Sequence, residues 1–116
     1  MQSNDVVRQE LREPALELRA MIPDVLKGYA DMGRAAMLDG ALPTATKELI
    51  ALAIAVTREC DGCVVAHARG AARAGATRQQ VAEMAGVAIM MNGGPGTVWG
   101  PRALRSFDEA LAARSS

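Results

Sequence analysis

The chain has few aromatic residues, one histidine and two cysteines. Its aromatic side chains are one Trp, one Tyr and one Phe, although half of its 116 residues are apolar. A core with so few rings must be built from Ala, Val, Leu, Ile and Met, and alanine-rich cores are typical of closely packed helices. A chain of this length is predicted to form a single domain over residues 1 to 116.

Net charge and long apolar runs are also absent. Thirteen basic and thirteen acidic residues cancel, so no basic stripe is available for phosphate backbones, and nucleic acid is not expected as a partner. The amino-terminal stretch is too polar for a signal peptide. The longest apolar run, residues 49 to 56, is far shorter than the about 20 residues of a membrane-spanning helix. We therefore expect a cytoplasmic protein without a membrane partner.

Apolar residues at helical spacing predict six helices and no strand. Their expected positions are residues 6 to 21, Pro23 towards Gly40, the stretch after Pro43, residues 60 to 74, the stretch from Thr77, and the stretch from Arg102. Pro14 is expected to break or kink the first helix, and residues 91 to 101 to form a loop or a helix break. Thr77 and Gln80 form a capping-box pattern. The predicted fold class is all-α, a bundle of about six helices.

Both cysteines and the histidine lie in one stretch, CDGCVVAH, at residues 60 to 67. On a helix, Cys60 and Cys63 are three residues apart and Cys63 and His67 are four apart, which places their Cβ atoms about 5–6 Å from one another. The cysteines are close enough to form a disulfide after modest adjustment. A helix start and a neighbouring imidazole both favour a thiolate. A four-residue loop would gain only about 2 kcal/mol from a bridge, so the pattern favours a redox-active dithiol.

Other interpretations of these residues remain open. Two thiolates and an imidazole are three of the four ligands of a zinc site, but no second CxxC or second histidine completes it, so no metal or cofactor is expected. The cysteines could instead be inert core residues, with His67 a hydrogen-bonded interior histidine. Glu48, at the edge of the third helix's apolar run, is either a proton-holding partner of His67 or a surface acid near a helix start.

The pattern resembles that of a known family. Glu48, eleven intervening residues, CDGC, three more residues and His67 match the E-x11-C-x2-C-x3-H pattern of the alkylhydroperoxidase D-like proteins, in the carboxymuconolactone decarboxylase superfamily. The flanking stretches TKELIALAIAV and HARGAARAGATRQQVAEMAGVAIMMNGGP agree with it. The resemblance covers about residues 20 to 112, most of the chain. It implies an all-α fold that assembles as a homotrimer or as a homohexamer of paired subunits.

The resemblance also implies a thiol-dependent peroxidase. Cys63 would attack a small peroxide or similar electrophile, and Cys60 would resolve the resulting sulfenic acid as a disulfide. His67 and Glu48 would relay protons, and a thiol protein or small thiol would reduce the disulfide. The helix dipole favours Cys60 as the nucleophile, but a neighbouring imidazole outweighs a dipole contribution of about 0.3–1 kcal/mol. The archetypal peroxidase has a histidine where this chain has Gly62, which predicts weaker activity or a different electrophile.

Two further functions are compatible with the sequence. The superfamily name suggests a decarboxylase acting on a lactone carboxylate, although true decarboxylases of the superfamily generally lack the CxxC pair. The alternative is a non-catalytic, redox-sensing assembly protein whose dithiol changes the oligomeric state. Met90, Met91 and Trp99 are expected in the core or in a subunit interface rather than around a pocket.

Overall fold

The computed structural model describes residues 2 to 115. Six α-helices follow one another: α1 (Asn4–Met21), α2 (Pro23–Ala36), α3 (Thr44–Thr57), α4 (Asp61–Arg73), α5 (Arg78–Asn92) and α6 (Gly94–Arg114). No strand occurs in these residues, so the predicted all-α fold is confirmed. None of the six helices combines the length and apolar content needed to cross a bilayer.

Helices α3 to α6 surround the buried core. Phe107 of α6 has no exposed surface, and it belongs to the same apolar cluster as Leu52 of α3, Val64 of α4 and Val81 of α5. Small residues fill the space between the helices; the fully or nearly fully buried alanines include Ala55, Ala68, Ala71, Ala72, Ala88 and Ala103. Because alanine has no side chain beyond Cβ, the helix axes approach closely and hold α4 firmly against α3 and α6.

Helices α1 and α2, here called the arm (residues 4 to 36), lie outside this core. In α1 only Asn4 and Val7 are buried, and no residue of α2 is buried. Within the described residues, α1 packs on α2, α4 and α6, whereas α2 packs on α1 alone. The predicted apolar positions of α2 therefore form a helix face that is exposed in the single chain.

One buried polar cluster fastens the arm to α6. Asn4 Nδ2 donates to the Ser106 carbonyl oxygen at 2.9 Å, and Ser106 Oγ donates to Asn4 Oδ1 at 2.6 Å. The backbone N–H of Asn4 donates to Glu109 Oε2 at 2.8 Å. Each polar atom of the Asn4 and Ser106 side chains that is removed from water thus has a partner, so the cluster fixes where α1 begins.

Two predictions about helix boundaries were wrong in part. Helix α1 continues through Pro14, so the expected break is absent, whereas the alternative, a kink at Pro14, stays a prediction. Residues 91 to 101 were expected to form a loop or a helix break before a last helix from about Arg102. A break does occur at Gly93, at φ 71°, but it is one residue long, and α6 already begins at Gly94 and runs through Pro101. Close packing of α6 on α5 offsets the hydrogen bond that Pro101 removes: a methyl group at Gly96 would lie only 2.9 Å from the Ile89 Cα.

Side-chain caps define the starts of α3 and α5. The capping box predicted at α5 is confirmed, with Gln80 N–H donating to Thr77 Oγ1 at 3.1 Å and Thr77 N–H to Gln80 Oε1 at 2.9 Å. At α3, Asp39 Oδ1 accepts from Thr44 N–H at 2.7 Å and from Thr44 Oγ1 at 3.0 Å. These hydrogen bonds hold the pKa of Asp39 below its usual value. Helix α3 carries Glu48, so this cap helps to fix the acid's position.

Candidate functional site

The two cysteines form a disulfide at the start of α4. Cys60 is the N-cap residue in an extended conformation, and Cys63 lies in the first turn, with a Cα–Cα distance of 5.2 Å. The Cys63 N–H also donates to the Sγ of Cys60 at 3.3 Å. Cys60 was expected in the helix but lies just before it, because its sulfur caps the helix in the way that a serine oxygen does. Cys63 is exposed, so solutes can reach the bridge.

His67 and Glu48 form a second pair beside the disulfide. The Nδ1 of His67 lies 3.2 Å from Oε2 of Glu48 on the neighbouring helix α3. Glu48 is only 7% exposed, so it is not the surface acid that one interpretation expected. His67 is half-buried and follows Cys63 by four residues on the observed helix, which puts the two side chains on one face. The structure therefore brings the predicted residues together on α3 and the first two turns of α4.

Gly70, which the sequence analysis did not single out, makes room for Glu48. A methyl group at Gly70 would overlap the Glu48 carboxylate, with its Cδ only 2.5 Å away. Gly70 lies inside α4, where glycine is about 1 kcal/mol less favourable than alanine. That unfavourable placement, one turn after His67, is the signal by which the sequence could have revealed it.

Gly62, the position at which this chain departs from the archetypal peroxidase, faces the arm. A Cβ atom at Gly62 would lie 3.0 Å from Cδ1 of Leu11 in α1. A histidine side chain here would have to displace Leu11. The arm thus occupies the space beside Cys63 that a histidine side chain at position 62 would need.

A buried arginine is paired with the residue that follows Cys60 in the sequence. The Nε of Arg102 in α6 donates to Oδ1 of Asp61 at 2.9 Å, and Asp61 directly follows Cys60. The Arg102 side chain is only 8% exposed. The sequence contained no signal for this pair, because 41 residues separate its members and α6 was expected to begin only at Arg102.

A cavity of about 500 Å³ opens onto the buried acid. The end of α2, the start of α3 and the middle of α4 enclose it, and Met37, Thr44, Glu48 and Gly70 contribute to its walls. Within residues 2 to 115, no group of three or more His, Cys, Asp and Glu side chains is arranged to hold a metal ion. The site consists of a disulfide, an imidazole and a carboxylate.

The fold and site define an all-α protein with a CxxC disulfide at a helix start and a Glu–His pair against it. Residues 23–106 match the family model described as the Carboxymuconolactone decarboxylase family. The chain belongs to the carboxymuconolactone decarboxylase family. This identification confirms the superfamily to which the motif pointed.

Known relatives agree with this assignment. An uncharacterized protein from Cupriavidus necator is 45% identical over 74% of this chain and 76% of its own length. "Uncharacterized protein 4 in cox locus" from Paracoccus denitrificans is 38% identical over 70% of this chain and 73% of its own. A crystal structure of a carboxymuconolactone decarboxylase family protein from Legionella pneumophila, in its apo form, superposes with a TM-score of 0.88. It has 33% identity and covers 93% of this chain and 96% of that one.

Proposed function

We propose that the protein is a thiol-dependent peroxidase and disulfide oxidoreductase with Cys63 as the nucleophile. The observation that carries this proposal is the accessible Cys60–Cys63 disulfide, with the hydrogen-bonded His67–Glu48 pair one turn further along α4. A bridge closing four residues contributes only about 2 kcal/mol by chain entropy, so it is easily exchanged and poorly suited to a structural role. In the cytoplasm, where we place the protein, thiol reductants are available.

The proposed cycle begins with the reduced protein. The Cys63 thiolate attacks the terminal oxygen of a hydroperoxide, the O–O bond breaks, and the alkoxide takes a proton and leaves as an alcohol. The Cys60 sulfur then attacks the sulfenic acid on Cys63, which forms the disulfide and releases water. Two electrons from a thiol protein or from two small thiols restore the dithiol. The sum is ROOH plus two thiols giving ROH, water and one disulfide.

His67 and Glu48 supply proton transfer in this proposal. His67 takes the thiol proton of Cys63 and returns a proton to the leaving oxygen, as a general base and then a general acid. Glu48 fixes the orientation of the ring and stabilises its protonated form from the buried side. Their position on α3 and α4, inside a packed core, keeps both groups in one geometry.

Peroxide consumption by variants of the reduced protein tests the proposal. Cys63→Ser is expected to abolish turnover and labelling by a sulfenic-acid probe, while Cys60→Ser should still react once and accumulate the labelled species. His67→Asn should lower the rate constant for reaction with peroxide by about 10²-fold or more. Glu48→Gln should also lower it, and the exposed acid of α5 provides the matched control, Glu83→Gln, with no change.

Two outcomes would contradict the proposed peroxidase function. Full peroxide consumption by Cys63→Ser would exclude Cys63 as the nucleophile. Turnover of a lactone carboxylate that persists after both thiols are alkylated would instead support a decarboxylase. A mass spectrum of the 60–63 bridge after addition of each candidate electrophile distinguishes these cases directly.

We also propose that the protein assembles as a homotrimer or as a homohexamer of paired subunits. The arm supports this, since α2 buries no residue within the chain yet presents Val25, Tyr29 and Met32 to solvent. Contiguous apolar surface of this kind typically marks an interface. Light scattering on the oxidised and reduced forms should give a mass of three or six subunits in both. A change with redox state would favour the sensing role, and a monomer would exclude the assembly.

A further inference from the structure

Arg102 has an unusual surrounding for a charged side chain. Its Nε is paired with Asp61, but Nη1 and Nη2 are both buried and find no hydrogen-bond partner among the described residues. A guanidinium carries five N–H donors, and four of them are on these two nitrogens. Burying charged donors without partners is costly, so the free protein keeps an unfavourable feature that a suitable acceptor would relieve.

The surroundings of Arg102 are suited to a molecule with one charged end. A cavity of about 240 Å³ is lined by Arg102 and Asp61 together with Val98, Trp99 and Gln2. Val98 and Trp99 provide an apolar wall next to the cation. Gln2 precedes α1, whose start Asn4 fastens to α6 one turn beyond Arg102, and this places Gln2 in the wall of the cavity.

The amino end of α4 adds to the positive field at this place. Asp61 is the first residue of α4, a helix of 13 residues, and no hydrogen bond engages its backbone N–H or that of Gly62 within the described chain. Unpaired N–H groups at a helix start attract anions. Asp61 is paired with the Nε of Arg102, which leaves both Nη groups of Arg102 and the N–H groups at the helix start as unpaired donors.

We propose that Arg102 binds the carboxylate of a small organic acid whose apolar part lies against Val98 and Trp99. A carboxylate has two acceptor oxygens at a spacing that matches the two Nη groups, and the paired contact is stronger than a neutral hydrogen bond. The ligand would reach Arg102 through the cavity that Arg102 lines with Val98 and Trp99. The bound acid would lie beside Asp61, the residue that follows Cys60 in the sequence.

Trp99 makes this binding measurable, because it is the sole tryptophan of the chain. Hexanoate is added to the oxidised protein while Trp99 fluorescence and thermal unfolding are recorded. We expect saturable binding that changes the emission and raises the melting temperature. Hexanamide, which has the same shape without the charge, should bind about tenfold more weakly or worse. Inorganic phosphate, which has no apolar part, should compete poorly.

Variants assign the binding to Arg102. Arg102→Gln should weaken hexanoate binding by about tenfold or more, because it removes the charge and the paired donors. The matched control is Arg105→Gln, one turn along the same helix and exposed, which should bind as the unchanged protein does. Arg102→Lys keeps the charge but lacks the two Nη groups that match a carboxylate, and it should bind hexanoate several-fold more weakly. Circular dichroism verifies that each variant is folded.

Three results would overturn the proposal. They are an absence of saturable hexanoate binding, equal binding of hexanamide or phosphate, and unchanged binding by a folded Arg102→Gln or Arg102→Lys variant. If neither variant folds, the comparison of hexanoate with hexanamide on the unchanged protein decides the question. The measurement uses the oxidised protein, in which no peroxide is consumed, so its outcome is independent of the peroxidase proposal.

Discussion

Two regions of this chain have similar apolar patterns, but only one of them buries its apolar residues within the chain. In α3 to α6, apolar residues at helical spacing form the buried core around Phe107. In the arm, residues with the same spacing remain exposed, and Tyr29 retains 68% of its surface. Helical periodicity therefore identifies which side of a helix is apolar, but it does not tell whether that side is covered by the same chain.

The difference also separates two roles around the site. The core region supplies Glu48 on α3, the disulfide between the N-cap residue Cys60 and the first turn of α4, and His67 on α4. The arm supplies Leu11, which lies against Gly62, and Asn4, which joins it to α6. The packed region therefore holds the candidate site residues, and the arm contacts this region beside Cys63.

The largest predicted contrast is between Phe107→Ala and Met32→Ala. Removing the fully buried ring of Phe107 should lower the free energy of unfolding by about 3–5 kcal/mol. Met32 is exposed in α2, so its replacement should change the intrachain stability by no more than about 0.5 kcal/mol. Urea titration at low protein concentration measures both. Similar losses for the two variants would show that the arm is part of the same core.

Asn4→Ala tests the joint between the regions. It removes both side-chain hydrogen bonds to Ser106 and leaves the buried Ser106 hydroxyl without its partner. The expected loss is about 1–3 kcal/mol. Hydrogen exchange should become faster in α1 while α3 to α6 keep their protection. Uniformly faster exchange in all helices would contradict the division into arm and core.

Replacing one glycine in each region by alanine should change the stability of the protein in opposite directions. Gly28→Ala in α2 meets no atom within 4 Å and should stabilise the protein by about 0.4–1 kcal/mol. Gly70→Ala gains the same propensity, but its methyl group displaces Glu48, which costs about 1–3 kcal/mol, for a net loss of about 1 kcal/mol. Thermal unfolding gives both signs. Stabilisation by Gly70→Ala would show that Glu48 moves aside freely.

The smallest effect concerns Asp39, in the connection between the arm and the core. Hydrogen bonds from Thr44 N–H and the Thr44 hydroxyl hold the pKa of Asp39 below its usual value. A lowered pKa means that the stabilisation is present above that value and is lost as the pH falls through the lower, folded-state pKa. Asp39→Asn should therefore be less stable than the unchanged protein at neutral pH and converge with it in acid. If the melting temperatures of Asp39→Asn and the unchanged protein differ by the same amount at every pH, the proposed role of the Asp39 carboxylate is wrong.

Much of the fold followed from the sequence because helix signals are local. The capping box at Thr77 and Gln80, and the start of α3 after Pro43, depend on residues within one turn. The start of α6 was missed because Pro101 and four glycines suggest a loop, whereas packing on α5 decides in favour of helix. The exposure of the apolar face of α2 was also not predictable, since within the described residues only α1 packs on this helix.

The site also contains residues whose proximity follows from local sequence and residues whose proximity does not. The spacing of Cys60, Cys63 and His67 follows from one helix, so sequence reasoning brought them together. Glu48 is on another helix, and composition alone left it undecided until the resemblance to a family was considered. The contact between Arg102 and Asp61 joins positions 41 residues apart, and no local pattern encodes it.

The space that Gly70 leaves for the Glu48 side chain has a consequence for how the sequence can change over time. Because the acid at position 48 fills the space that any larger residue at position 70 would need, the two positions are not independent. A lineage that shortens the acid first can then accept a side chain at position 70, whereas the reverse order passes through a steric clash. Substitutions at these positions should therefore accumulate in one direction and vary together.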